Sequence, residues 1–399
     1  MLHKIGFVAL GLLLTLTSVT AQNISNGTFG KGIKIIAKDS SFSMKFSVRF
    51  QTLMVAQTQF VDNLQLDDVS TNMLIRRSRL KFNGFVFSPK WEYKMEFGLS
   101  NRDIGGAIPQ TNNANRIILD AVVKWHFAKN TSLWFGQTKL PGNRERVISS
   151  QQLQFVDRSL LNSRFNIDRD AGVQLRHHFT AGNMVIREIG SISSGEGRNI
   201  TTTNTGGYDY TARVEFLPMG KFAGKGDYSA SDLKREEKPK LAIGITYDFN
   251  DGASRQRGQL GSYFDGPTPQ RDLESFMADF MFKWNGFSMM GEFVDKQTDT
   301  GSPIVLGDTG QVIGSFFTGQ GLNLQAGYLF KNNLEVSGRY TSIMPNSKTG
   351  RNDQTQYTLG VSRYIVGHAL KVQSDFSYLE EENVDDPTLM FRLQVEVAF

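Results

Sequence analysis

From about residue 40 onward the chain alternates apolar and polar residues in short segments, the two-residue period of a strand with one apolar and one polar face. Phe42, Met44, Phe46, Val48 and Phe50 fall on one side, and Ser43, Lys45, Ser47, Arg49 and Gln51 on the other. Trp91, Tyr93, Met95, Phe97 and Leu99 oppose Lys90, Glu92, Lys94, Glu96 and Gly98 in the same way. The pattern recurs through Leu241 to Phe249, Phe276 to Trp284, Leu322 to Phe330, Leu334 to Tyr340, Leu370 to Tyr378 and Phe391 to Phe399. About sixteen such segments are expected, and none has a helical period.

The connections alternate too. Links near Ser88-Pro89, Lys129-Asn130, Thr180 to Asn183, Asn285-Gly286, Lys331 to Asn333 and Gly367-His368 are tight. Those near residues 58–73, 101–115, 141–170, 191–207, 250–272, 295–316, 342–354 and 380–388 are long. An antiparallel transmembrane β-barrel of the outer membrane has this asymmetry, with short periplasmic turns and long outer loops. Leu217 to Lys240 breaks the rule on the periplasmic side and predicts either an ordered excursion or a miscounted strand pair.

Alternation alone also fits a soluble β-sandwich. Charge on the opposite face of nearly every strand, Trp, Tyr and Phe at strand ends, and a chain ending on Phe399 after Phe391, Leu393, Val395 and Val397 favour the membrane barrel. A terminal aromatic on an amphipathic last strand resembles the signal read by the barrel-assembly machinery, so Phe399 is the expected contact with it. Closure removes the unpaired strand edges that lipid would penalise.

The start of the chain is different. Lys4, the apolar run Ile5 to Leu16 and the small residue Ala21 read as a signal peptide over residues 1–21, removed ahead of Gln22. A single transmembrane anchor competes, but the run is short of the roughly 20 residues a helix needs to cross a bilayer. The domain reading is therefore a signal peptide, an N-terminal periplasmic segment over 22–41, and a barrel over 42–399. The absence of cysteine excludes disulfides, thiolate metal sites and a lipoprotein anchor.

With lipid on the apolar face, the opposite parity lines the lumen, and sixteen strands leave room for water there. That lining carries Lys45, Arg49, Arg77, Arg79, Lys81, Lys94, Lys124 and Arg176 together with Glu92, Glu96 and Asp120. Residues 42–180 hold 19 Lys and Arg against 11 Asp and Glu, whereas residues 181–399 hold 21 against 27, so one side of the wall is expected to be basic. The segment 141–170 joins the fifth and sixth strands, the place of an inward-folding constriction loop. It adds Arg144, Arg146, Arg158, Arg164 and Arg169. Guanidinium groups suit oxyanions because they are always charged, weakly hydrated and bidentate. The plainer alternative is that Arg144, Arg158, Arg164 and Arg169 pair with Glu145, Asp157, Asp168 and Asp170 and pin the loop. Arg77, Arg79, Lys81, Lys94, Lys124, Arg144, Arg146 and Arg176 are the candidate pore-lining and anion-binding residues.

The stretches IRRSRLKFNGFVFSPKWEYKMEF (75–97), WFGQTKLPGNRERVISS (134–150) with FVDRS (155–159), and GKGDYSASDLKREEKPKLAIGITYDFN (224–250) resemble the phosphate-selective porin O/P family. The likeness covers most of the mature chain, and it is the order and spacing of these stretches that carry it. It implies a sixteen-stranded outer-membrane porin of a Gram-negative envelope, often a homotrimer, passing small anions such as phosphate through a basic constriction and an arginine ladder. Arg77, Arg79 and Lys81 match part of a ladder, and Arg144 and Arg146 sit where constriction residues are expected. Glu92, Glu96 and Asp120 depart from a purely basic wall and would weaken anion preference.

Other chemistry is poorly served. His177 and His178 are neighbours on a strand and point to opposite faces, a poor metal pair, and neither a Gly-x-Ser-x-Gly elbow nor a His-Glu-x-x-His run occurs. No enzyme activity, cofactor or metal is expected. The basic residues lie on strands with an apolar opposite face, which speaks against a nucleic-acid partner. The expected function is passive diffusion of small hydrophilic solutes with an anion preference. The alternative is a non-conducting scaffold barrel plugged by its own loops within a larger envelope complex.

Overall fold

The computed structural model describes residues 23–25, 28–61, 65–264 and 270–399; the signal peptide expected over 1–21 lies outside them. Sixteen strands build the wall. They are β1 (Phe42–Val61), β2 (Ser70–Val86), β3 (Ser88–Gly98), β4 (Ile118–Ala128), β5 (Thr131–Lys139), β6 (Arg169–Ala181), β7 (Met184–Ser193) and β8 (Asp209–Leu217). The second half is β9 (Lys240–Ala253), β10 (Arg271–Trp284), β11 (Phe287–Thr298), β12 (Gly319–Leu329), β13 (Leu334–Pro345), β14 (Gln354–Val366), β15 (Leu370–Glu381) and β16 (Thr388–Ala398). Each pairs antiparallel with the next, and β16 pairs with β1 from Thr388↔Gln59 to Ala398↔Arg49, closing the barrel. Closure leaves no long run of backbone donors facing hydrocarbon.

The period-two pattern sorts side chains as expected. On β9, Ile243, Ile245 and Tyr247 face outward and are exposed, while Ala242, Thr246 and Asp248 are buried inside. Trp91 and Trp125 stack at 5.3 Å across β3 and β4 on the outer face, one piece of an aromatic girdle. The tight turns are built for their strands: Asn285 (φ 48°) and Gly286 (φ 90°) both take positive φ between the paired Trp284 and Phe287. Such a turn matches the right-handed twist of a hairpin.

Two inserted segments fill much of the lumen. The loop between β5 and β6 folds inward and carries two short helices, α1 (Arg144–Val147) and α2 (Leu160–Phe165). The Ser159 hydroxyl caps α2, accepting from Asn162 N at 3.2 Å. Leu161 and Phe165 then bury against Met277, Val294, Phe317 and Ile343. A second apolar cluster joins Ile148 and Leu153 of the loop to Val185, Leu217, Ala242, Met281 and Met290 of the wall and to Phe222.

Phe222 belongs to the segment between β8 and β9, which is an ordered excursion: β8 and β9 pair directly, from Asp209↔Asn250 to Phe216↔Ile243. Between Ala223 and Tyr228 it makes two short 3₁₀ turns across a kink where Gly224 and Lys225 take positive φ, and it re-enters the lumen from the periplasmic end. There it meets the outer loop, with Ala230 N donating to Gln152 O at 3.0 Å. Ser231 Oγ and Tyr364 Oη each donate to Glu335 Oε2 at 2.6 Å, anchoring the excursion to β13 and β14.

Upstream of β1, the strand Ile33–Ile36 pairs with residues 43–46. Part of the segment expected over 22–41 therefore continues the wall beside the end of β16. Phe399 completes that edge, exchanging two backbone hydrogen bonds with Val48 at 2.8 and 3.0 Å.

Candidate pore and its basic wall

β2 supplies the inward row Arg77, Arg79 and Lys81, alternating with outward Ser78 and Leu80. A register shift opposite Gln51 and Thr52 leaves Arg76 without a partner on β1 and turns it inward beside Arg77. Parity alone places Arg76 on the other face, so this bulge is what sequence reasoning missed. Both guanidiniums clamp Asp157 of the inward loop: Arg76 through Nε (2.8 Å) and Nη2 (2.9 Å), Arg77 through Nη2 (2.6 Å). Burial opposes ionisation of Asp157, but Arg77 and Arg76 overcome it and hold the carboxyl well below the usual range. Asp168 behaves alike, burial being outweighed by Arg146 and Arg169.

The remaining candidates also sit in a web of charge. Arg79 holds Asp103 bidentately, Nε at 2.7 Å and Nη2 at 2.8 Å, and reaches Glu96 at 3.0 Å. Lys94 lies 3.0 Å from Glu96 and 2.9 Å from Asp120. Arg169 also contacts Asp120, at 3.1 Å. Arg146 Nε donates to Asp168 Oδ1 at 2.7 Å. Lys124 and Arg176 flank a ring instead, 4.1 Å and 3.9 Å from the Trp134 centroid.

Arg144 requires correction. Expected at the constriction, it is 0% exposed, donating to Asp279 Oδ1 (2.7 Å), Glu215 Oε1 (3.5 Å) and Asp227 O (3.0 Å). It lines no passage. It crosses the lumen to the acidic half of the wall, where the carboxylates Glu215, Asp227 and Asp279 outnumber Arg187 and Arg213, and a buried guanidinium needs such partners. Of the local pairs expected within the loop, Arg169 keeps Asp168 at 3.7 Å, whereas Arg158 donates to Glu145 O (2.9 Å) and Ile148 O (2.8 Å), and Arg164 to Gln354 Oε1 (3.2 Å).

What stays unfilled runs down the basic half as a string of cavities. The outer one, about 140 Å³, is lined by Arg76, Arg77, Arg79, Arg102, Lys139, Arg146, Arg158, Arg169 and Arg198, with only Asp103 and Asp168 among carboxylates. The next, about 130 Å³, shares Arg79 and adds Lys45, Arg49, Lys81 and Glu96, ending at Gln151 and Phe399. Lys81 leads to a periplasmic chamber of about 380 Å³ with Lys94 and Lys124, and Lys124 to another of about 540 Å³ with Trp134 and Arg176. Seven of the eight candidate residues thus border this string, and Arg49, Arg76, Arg102, Lys139, Arg158, Arg169 and Arg198 join them. Arg102 and Arg198 come from outer loops without periodicity, so no pattern in the sequence could place them. Among the described residues, no group of three His, Asp and Glu side chains converges to hold a metal.

The comparisons with known proteins agree with this architecture. The outer membrane channel DcaP of Acinetobacter baumannii superposes with a TM-score of 0.55 at 12% identity, over 91% of this chain and 99% of that one. The trimer form of the outer membrane protein OmpT of Vibrio cholerae gives 0.51 at 11% identity, over 89% and 99%. Identities this low speak for the fold alone. No curated protein sequence matches. Residues 51–399 match the family described as phosphate-selective porin O and P, a span that takes in nearly the whole wall and both inserted segments. A closed sixteen-stranded barrel with an inward loop, matched over that length, places this chain in the phosphate-selective porin O and P family, as a channel protein of the outer membrane.

Proposed function

We propose that this channel passes small oxyanions, phosphate among them, by passive diffusion along the basic half of its wall. The observation that carries the reading is the outer cavity: nine cationic side chains face two carboxylates across about 140 Å³. Guanidinium groups lining such a space offer an anion replacement for its lost water. Below them Glu96, Asp120 and Glu92 interrupt the cations, so each stop is weak and the ion moves on. The family description supports phosphate, and the trimer form of OmpT supports a homotrimer. The test is titration of phosphate against the chloride current of the purified protein in a planar bilayer. Inhibition that saturates supports an oxyanion site; a current indifferent to phosphate removes it.

A second reading, a non-conducting scaffold within an envelope complex, is favoured by one observation. Loop and excursion enter from opposite ends and hydrogen-bond to each other, Arg144 Nη1 to Asp227 O and Ala230 N to Gln152 O, both at 3.0 Å. Absence of any stepwise conductance would select it.

A further inference from the structure

The largest chamber of the string lies at the periplasmic end and differs in kind from the others. Most cations of the wall are cancelled by a carboxylate: Arg49 by Glu396, Arg77 by Asp157, Arg79 by Asp103, Lys94 by Asp120, Arg392 by Asp375. Lys124 and Arg176 are not. Among the described residues neither has a carboxylate within 4 Å. Lys124 Nζ rests 4.1 Å and Arg176 Cζ 3.9 Å from the Trp134 ring, and Arg176 otherwise donates only to Gln174 Oε1, at 2.7 and 3.2 Å. An indole attracts a cation without neutralising it. The ring itself is fixed, Nε1 donating to Ser132 Oγ at 3.0 Å. Two positive charges are thereby held in place with their field intact.

The chamber also has an apolar side. Besides Trp134 it is lined by Ile189, Phe222 and Tyr228, and at about 540 Å³ it is several times larger than the outer cavity. A bare phosphate would leave most of that space and all of that surface unused. Negative groups do face it: Glu92 lies beside His126 at 3.6 Å, and Asp227 is held by Arg187. They are outnumbered in the lining by Lys124, Arg176, Arg187, Lys221 and Lys225.

We propose that this chamber is a binding site for an organic anion, a flat ring bearing one oxyanion group, with the oxyanion on Lys124 and Arg176 and the ring against the apolar side. The inference deepens the anion-channel reading and rests on it, since the chamber is the last stop of the same path. Large, partly apolar pockets with a few convergent polar groups are the usual form of small-molecule sites.

The experiment compares phenyl phosphate with inorganic phosphate by calorimetric titration of the whole protein in detergent. Wild type is expected to bind phenyl phosphate at least tenfold more tightly. Trp134→Leu should erase that ratio, Trp134→Phe should keep part of it, and Lys124→Gln should weaken both ligands, each variant first shown to retain heat-modifiable mobility on a gel. Equal affinities in wild type, or an unchanged ratio in Trp134→Leu, overturn the proposal. Failure of the channel reading shows elsewhere, as absent anion selectivity in a bilayer.

Discussion

Arg144 Nε donates to Asp279 Oδ1 at 2.7 Å across the lumen, joining residues 135 positions apart, both essentially without solvent contact. The pair fixes the inward loop against the far wall and so sets the space left on the near one. Arg213 braces the same carboxylates, reaching Asp279 at 2.7 Å and Glu215 at 2.9 Å.

Arg144→Gln strands part of that buried charge. Breaking a buried pair from one side costs about 3–5 kcal/mol, and bracing by Arg213 puts this case at the lower end. The heat-modifiable gel shift should occur at a lower temperature, and single-channel conductance should rise or flicker as the loop loosens. An unchanged transition temperature with unchanged conductance would show that the pair does not hold the loop.

The apolar anchor is separable from the ionic one. Phe165 is fully buried among Met277, Val294, Phe317 and Ile343. Phe165→Ala should cost about 3–5 kcal/mol, as large-to-small changes in packed cores do. Because the lesion faces the acidic half, conductance should increase while ion preference weakens. A gain in conductance at undiminished selectivity would argue that the new space lies elsewhere.

Acid should not release the loop until well below physiological pH. Asp157 and Asp168 have folded-state values depressed below their unfolded value of about 3.9. Their pairing therefore contributes full stability above about pH 4 and is lost as pH falls through the lower folded value. Conductance at pH 5 should match that at pH 7. A transition between those values would place a different group in control.

Phe399 joins the last strand to Val48 through both its backbone groups, and its ring is half exposed. Deleting it should reduce the amount of folded barrel recovered from outer membranes, with the unfolded precursor accumulating. A normal yield would argue against the expectation that Phe399 is read by an assembly machinery.

How much of this is visible in the chain depends on the kind of interaction. Strands such as Phe42–Phe50 are legible because lipid on one side and water or charge on the other force a strict period of two, and the eight long links fall where the loops are. The charge imbalance between the halves likewise locates the basic wall. Partner choice is not legible. Asp157 sits next to Arg158 in sequence but pairs with Arg76 and Arg77, because folding brings the loop against β2. Arg76 needs a bulge that no residue type announces. The filled half did leave a trace: Met277, Met281, Met290 and Val294 are apolar residues on the lumen parity of β10 and β11. Such breaks in an otherwise polar lining mark where an inserted segment will pack.

Conduction through the unfilled part of the lumen, along its cationic wall, is read directly from the zero-current potential of the purified protein in a planar bilayer under a tenfold KCl gradient. Stepwise conductance is expected, with an anion-signed potential that shrinks when Arg79, Arg146 and Arg169 are replaced by Gln. A cation-signed potential, or one unmoved by those substitutions, would contradict it.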